Sequence, residues 1–133
     1  MNIGQAAART GVPAKTIRYY EEIGLVTPTR SANGYRQFGD RQVERLAFLR
    51  RARALGFSIE DCRSLLDLWS DSDRAAADVR RIAAGHLSTV NEKIEQLRQV
   101  RATLDALVNA CAGDDRADCP ILDSLDPRGA RDG

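Results

Sequence analysis

The stretch IGQAAARTGVPAKTIRYYEEIGL, residues 3–25, decides the fold of this chain. It predicts two short helices joined by a tight turn at Gly11, because glycine adopts the left-handed conformation that other residues resist. Asn2 and Gln5 have the spacing of reciprocal capping partners, which places the start of the first helix there. Pro13 suits the first position of the second helix. The pattern predicts a helix-turn-helix, with a plain αα-hairpin as the alternative.

The second of these helices has an inward and an outward face. Val12, Ile17 and Tyr20 have the spacing that packs one side of it against the domain. The other side is polar and basic, as the groove-facing surface of a recognition helix is. The residues predicted to contact DNA from this helix are Lys15, Thr16, Arg18 and Tyr19.

A β-hairpin is predicted next, in LVTPTRSANGYRQF, residues 25–38, because Asn33-Gly34 lies between two short extended runs. A two-stranded wing beside a helix-turn-helix lies over the phosphate backbone, where contacts position the protein without reading bases. A solvated charge is the alternative for any one arginine. The candidate phosphate contacts are Arg30, Tyr35 and Arg36, with Arg53 in a second basic patch near the end of the third helix.

The remainder of the chain is predicted to be helical, with a third helix from Asp40, a fourth from Ser58 that places Cys62 in the core, and a long helix over residues 75–110. A helix of about 36 residues is roughly 54 Å long and must project from a small domain. An apolar stripe along one side of this helix, called the seam here, needs a partner helix, which predicts a homodimer joined by a two-stranded coil. A helix folded back over its own domain is the alternative. The seam residues recur at heptad spacing: Ala76, Val79, Ala83, Leu87, Val90, Ile94, Leu97, Leu104, Val108 and Cys111.

Length, composition and charge restrict the class of protein. The 133 residues contain no apolar run long enough to cross a membrane and no secretory start, so a cytoplasmic protein is expected. Residues 1–53 carry ten basic against four acidic side chains, which favours a polyanionic partner for the front half. The single histidine, His86, is predicted to lie on the coil surface. No catalytic constellation is visible, so an enzyme is not expected.

Two cysteines flank a seven-residue loop after the long helix. Cys111 and Cys119 can bring both sulfurs onto one ion, while unrelated loop cysteines or a disulfide remain alternatives. Structural zinc usually has four Cys or His ligands, and no third ligand is evident here. Two thiolates suit a soft monovalent ion, Cu(I) above all, with Ag(I) and Au(I) sharing the preference. Pro120 can begin a short helix whose N-terminus favours an anionic sulfur.

Two stretches of the chain resemble the MerR family of transcription regulators. They are residues 3–38 and LRRARALGFSIEDCRSLL, residues 49–66. The motifs TIRYYEEIGL, NGYR and LGFS occur in register. The resemblance implies a dimer with an antiparallel coil that binds a palindromic promoter. It also implies that effector binding bends and untwists the DNA so that RNA polymerase can use it.

The segment CAGDDRADCPIL, residues 111–122, resembles the metal loop of the family's copper-sensing branch, in which the two loop cysteines are the only ligands. Divalent-sensing relatives add a third cysteine from the partner subunit. The corresponding residue here is Ala76, where copper sensors usually carry serine, and alanine cannot bind Hg(II), Zn(II), Cd(II) or Pb(II). Arg80 of the partner subunit is the candidate counter-charge to the thiolates.

The sequence thus predicts a mainly α protein that activates copper export or detoxification genes in response to Cu(I). One alternative is a regulator of the same family switched by a Cys111–Cys119 disulfide, and the other is a coiled-coil adaptor that does not bind DNA. The predicted parts are a winged helix-turn-helix DNA-binding domain over 1–70, a dimerisation helix over 75–110, a metal-binding loop and short helix over 111–125, and a disordered tail over 126–133.

Overall fold

A computed structural model describes residues 1–128. The chain divides into two compact units, Met1–His86 and a second that begins at Leu87. The described elements, in chain order, are α1 (Ile3–Thr10), α2 (Ala14–Glu22), β1 (Thr29–Arg30), β2 (Arg36–Gln37), α3 (Asp40–Ala54), α4 (Ile59–Ser70), α5 (Ala76–Ala110) and α6 (Pro120–Leu125).

The predicted helix-turn-helix forms through the predicted local signals. The Asn2 side chain accepts a hydrogen bond from the Gln5 backbone N–H, and the Gln5 side chain accepts one from the Asn2 N–H, both at 2.8 Å. Gly11 has φ +77° and ends α1. Pro13 is the N-cap of α2 rather than its first residue, so the predicted start was one residue early.

One hydrophobic core lies within the first unit, and the predicted inward residues of α2 belong to it. Cys62 is also fully buried, as expected. All four helices of the winged domain contribute to this core, and Phe38, the residue after β2, joins them. Its buried members are Ala6, Val12, Ile17, Tyr20, Leu25, Val26, Phe38, Leu46, Leu49, Ala52, Cys62 and Leu66.

The wing is a minimal antiparallel hairpin in which Arg30 pairs with Arg36. Gly34, with φ +82°, takes the left-handed position after a turn closed by its N–H on the Ser31 carbonyl at 2.9 Å. The base of the wing is fixed by buried Phe38, whose N–H donates to the Met1 carbonyl at 2.7 Å. The wing tip has no comparable apolar anchor, since Ser31–Gly34 and Tyr35 are all partly or fully exposed.

The long helix α5 runs for 35 residues, and none of its residues is buried. Its apolar seam is open to solvent in the single chain: Leu87, Ile94, Leu97, Leu104 and Val108 are between 41% and 66% exposed. The predicted long helix is therefore present, and so is its unpartnered apolar face. Along the described residues no helix has the length and apolar character needed to span a membrane.

The end of the chain agrees in part with expectation. Helix α6 begins at Pro120, as predicted. Residues 126–128 form a turn in which the Arg128 guanidinium donates to the Asp126 carboxylate at 3.0 Å. The rest of the predicted disordered tail, residues 129–133, lies outside the described residues.

Candidate DNA-binding surface and metal site

Helix α2 presents the predicted reading residues to solvent. Lys15, Arg18 and Tyr19 are exposed and Thr16 is partly so, while Ile17 and Tyr20 anchor the opposite face in the core. This arrangement leaves basic and hydrogen-bonding groups on one side of a rigid helix, as major-groove recognition requires. The individual DNA contacts of these residues stay predictions.

The two wing arginines both contact Glu21 at the end of α2. An Arg30 Nη2 donates to Glu21 Oε2 at 3.1 Å, and Arg36 Nε donates to Glu21 Oε1. Arg30 also donates to the Gly34 carbonyl at 3.0 Å. A guanidinium has five N–H donors, so each arginine keeps donors for a phosphate. Tyr35, 70% exposed, is open to the same role.

Arg53 closes the turn that follows α3, a contact that the sequence did not indicate. Its Nη1 donates to the Phe57 carbonyl at 2.6 Å. Burial raises the pKa of the nearby Tyr20 hydroxyl above its ordinary value, and the charge of Arg53 acts in the opposite direction. Arg53 remains exposed and keeps donors for DNA, so its predicted contact stays a prediction.

The loop after α5 brings the predicted thiol pair together. The Cys111 and Cys119 Sγ atoms are 3.9 Å apart, and both side chains are partly exposed free thiols. A disulfide is about 2.05 Å long, so the two sulfurs are not bonded. Among the described residues, no group of three or more His, Cys, Asp or Glu side chains is placed to hold a metal ion. The geometry therefore offers two sulfur ligands.

The start of α6 favours the thiolate form of Cys119. Backbone N–H groups of Leu122 and Ile121, in that order, lower the pKa of the Cys119 thiol, and its contact with Cys111 lowers it further. Asp114 in the same loop is engaged elsewhere, since the Arg116 guanidinium donates to it at 2.9 Å. The loop thus favours the thiolate form of Cys119, which is the form that binds metals.

The proposed pocket residues outside the loop belong to the other compact unit. Ala76 is the first residue of α5, and Arg80 is exposed one turn later, both within Met1–His86. Their role at a partner subunit's thiols stays a prediction.

His86, predicted to lie on the coil surface, is partly exposed and also makes a tertiary contact that the sequence did not indicate. Its Nε2 is 2.7 Å from the Leu55 carbonyl, and its ring packs on Phe57 with centroids 4.6 Å apart. The contact ties the beginning of α5 to the turn after α3. No local sequence pattern signals it, because the partners are 31 residues apart.

The core thiol of Cys62 and the loop thiol of Cys119 are expected to differ in reactivity toward iodoacetamide at about pH 7.5. Burial raises the pKa of the Cys62 thiol and shields it, whereas the pKa of Cys119 is lowered. A lower pKa gives more thiolate at a given pH, so Cys119 should react faster, and Cys62, which is also shielded by burial, should react at about one hundredth of that rate or less. Mass spectrometry of peptides measures the rates, and equal rates in urea are the control. Equal rates in the native protein would contradict the expectation.

A winged helix-turn-helix that exposes Lys15 and Arg18 on its second helix, in a chain with a thiol pair after its long helix, defines the class of DNA-binding transcription regulators with a thiol-based site. Two family models match the sequence: "MerR HTH family regulatory protein" over residues 1–69 and "MerR, DNA binding" over residues 43–107. The chain belongs to the MerR family of transcriptional regulators.

Relatives within the family cover nearly the whole chain. The transcriptional regulator HmrR of Rhizobium leguminosarum bv. viciae is 56% identical over 94% of this chain and 97% of its own length. The regulator CueR of Escherichia coli O6:H1 is 46% identical, covering 94% and 93%. The regulator PbrR691 of Ralstonia metallidurans CH34, solved in complex with lead(II), is 30% identical with a TM-score of 0.81, covering 95% and 99%. The chain is thus a metal-responsive regulator of this family, and the relatives are regulators rather than enzymes.

Proposed function

We propose that this protein is a cytoplasmic dimeric activator that responds to Cu(I), with Ag(I) or Au(I) as alternative effectors, and controls genes for copper export or detoxification. The observation that carries the proposal is the pair of Sγ atoms of Cys111 and Cys119 at 3.9 Å, with no third ligand clustered near them in residues 1–128. Thiolates select Cu(I) among biological ions.

The spacing of the two sulfurs fits a shared ion better than a covalent bond. A metal–sulfur bond of about 2.3 Å, taken from zinc sites, gives an S–S span of up to about 4.6 Å when both sulfurs bind one ion. The observed separation of 3.9 Å lies within that span, so both sulfurs can bind one ion after rotation of the two side chains. A disulfide switch would require the sulfurs to close by nearly half of their separation. It remains the alternative within the family.

The exposed seam of α5 supports the dimer. Apolar residues at heptad spacing along a helix without buried residues require a partner helix. The family resemblance makes that partner a second copy in an antiparallel arrangement. Membership of a DNA-binding family excludes the other alternative, an adaptor that does not bind DNA.

Activation is proposed to act through the shape of the promoter. In this scheme the dimer occupies a palindromic operator in both states, and the metal-loaded form bends and untwists the DNA. The promoter elements on either side then face RNA polymerase together. In this scheme the thiol loop makes activation depend on the metal, and the α2 surface and the wing bind the DNA.

The test is a metal count and a ligand count on the reduced protein under a Cu(I)-buffering chelator. We expect one Cu(I) per chain and a shell of two sulfurs in X-ray absorption. The same preparation is then assayed for transcription from a promoter that contains the operator. The operator is the duplex that the wild-type protein selects from a randomised library. Three or four ligands around copper, or activation by air oxidation alone, would contradict the proposal.

Ala76 is expected to exclude divalent ions, and the solved lead(II) complex of PbrR691 makes a Pb(II) response the second candidate. Ala76→Cys should add a thiolate from the partner subunit and raise Pb(II) or Hg(II) affinity about tenfold or more, as changes around metal sites commonly do. Metal-competition assays measure the change. Ala77→Cys is the matched control, since it adds a thiol to the same turn. A wild-type response to Pb(II) as strong as to Cu(I) would overturn the copper assignment.

A further inference from the structure

Glu21 is an unexpected residue on a surface that binds DNA. It lies at the last turn of the recognition helix α2, where a carboxylate repels the phosphate backbone. Its side chain is only 20% exposed, and each of its oxygens accepts from a different wing arginine. Both arginines are predicted phosphate contacts, so Glu21 binds the same side chains that are expected to contact the DNA backbone.

The wing depends on contacts from outside the hairpin. Its strands have two residues each, and an isolated two-stranded hairpin is marginal in water. Phe38 anchors its base in the core. Beyond that base, the contacts from Arg30 and Arg36 to Glu21 tie both strands to the recognition helix.

Exposed ion pairs usually contribute little to stability, but this group differs from an isolated pair. One carboxylate uses both oxygens, and the two arginines come from paired positions on adjacent strands. The Arg36 side chain is 34% exposed and that of Glu21 is 20% exposed, so the contact is partly shielded from solvent. The arrangement joins both strands of the wing to α2 before any DNA is present.

We propose that Glu21 is a positioning residue that sets the wing against the recognition helix, and that it thereby lowers affinity for non-specific DNA and raises discrimination in favour of the operator. Without the carboxylate, the two arginines are free to follow any phosphate backbone. With it, they reach the backbone only when α2 and the wing fit the same duplex.

Glu21→Gln tests the proposal, with Glu22→Gln as the matched control. Glu22 is the adjacent, exposed residue of α2, and its replacement makes the same change in charge without touching the wing. Binding of the full-length protein is measured to the selected operator and to a scrambled duplex of equal length. For Glu21→Gln we expect scrambled DNA to bind about threefold to tenfold more tightly and the operator-to-scrambled ratio to fall about fivefold. For Glu22→Gln the ratio should stay within about twofold.

Hydrogen exchange of the free protein supplies a second measurement that needs no DNA. The amides of Ser31 and Tyr35, bonded within the wing, should exchange about fivefold faster in Glu21→Gln and at the wild-type rate in Glu22→Gln. Arg36→Gln breaks the same contact with the opposite change in charge and should also accelerate exchange of the Ser31 and Tyr35 amides. If Glu21→Gln leaves the binding ratio and the wing amides as they are in the control, or if Arg36→Gln leaves the wing amides protected, the proposal is overturned.

Discussion

Replacing either loop thiol with a hydroxyl, in Cys111→Ser or Cys119→Ser, is expected to abolish metal-dependent activation while leaving operator binding intact. Each variant keeps one of the two sulfurs that lie 3.9 Å apart, and a serine hydroxyl is a poor ligand for a soft cation. Loss of a direct ligand should reduce Cu(I) affinity by about a hundredfold or more, since even indirect supporting groups are worth 10–100-fold. Competition with a Cu(I) chelator and transcription from the selected operator measure the two effects.

The control for these variants is Cys62→Ala. It removes the third thiol, which is buried in the core of the winged domain, and keeps both loop thiols. Copper affinity and activation should match the wild type, with only a modest loss of thermal stability from the smaller side chain. A full copper response in Cys111→Ser or Cys119→Ser would refute the assignment of the site. Release of operator DNA by copper in the wild type would contradict activation through promoter shape.

The second large effect is expected from Leu97→Asp, which should dissociate the dimer. Leu97 is 66% exposed in the single chain and lies on the apolar seam of α5, so we expect the partner helix to cover it. Each dimer would carry two unpaired aspartates in its interface, and burial of an unpaired charge is costly. Dimerisation joins two half-site contacts, so operator affinity should fall by about a hundredfold or more.

The matched control places the same charge elsewhere on the helix. Gln99 is exposed and two residues beyond Leu97, which turns it by about 200° away from the seam. Sedimentation and operator binding of Gln99→Asp should match the wild type. If Leu97→Asp remains a dimer with wild-type operator affinity at micromolar concentration, the seam is not the dimer interface.

Features defined by neighbouring residues were predictable because their physics is local. The capping pair Asn2 and Gln5 and the left-handed Gly11 fix the helix-turn-helix through contacts within a few residues. The Ser58 cap, whose side chain accepts from the Asp61 N–H at 3.0 Å, starts α4 in the same way. Periodicity likewise predicted α5, and the spacing of the two loop cysteines allowed a pair of sulfurs, which the structure brings together.

Contacts between residues distant in sequence were not predictable, since no local pattern records them. The sequence marked Arg36 only as a candidate phosphate contact, and the packing of the wing beside α2 brought it to Glu21, 15 residues away. His86 was assigned to the coil surface, and only the docking of the start of α5 brought it to Leu55, 31 residues away. By itself the sequence determined the helices, the turn, the seam and the thiol pair, because hydrogen bonds and periodicity act over a few residues. The tertiary structure decided which charged groups are engaged, because that depends on which surfaces the core brings together.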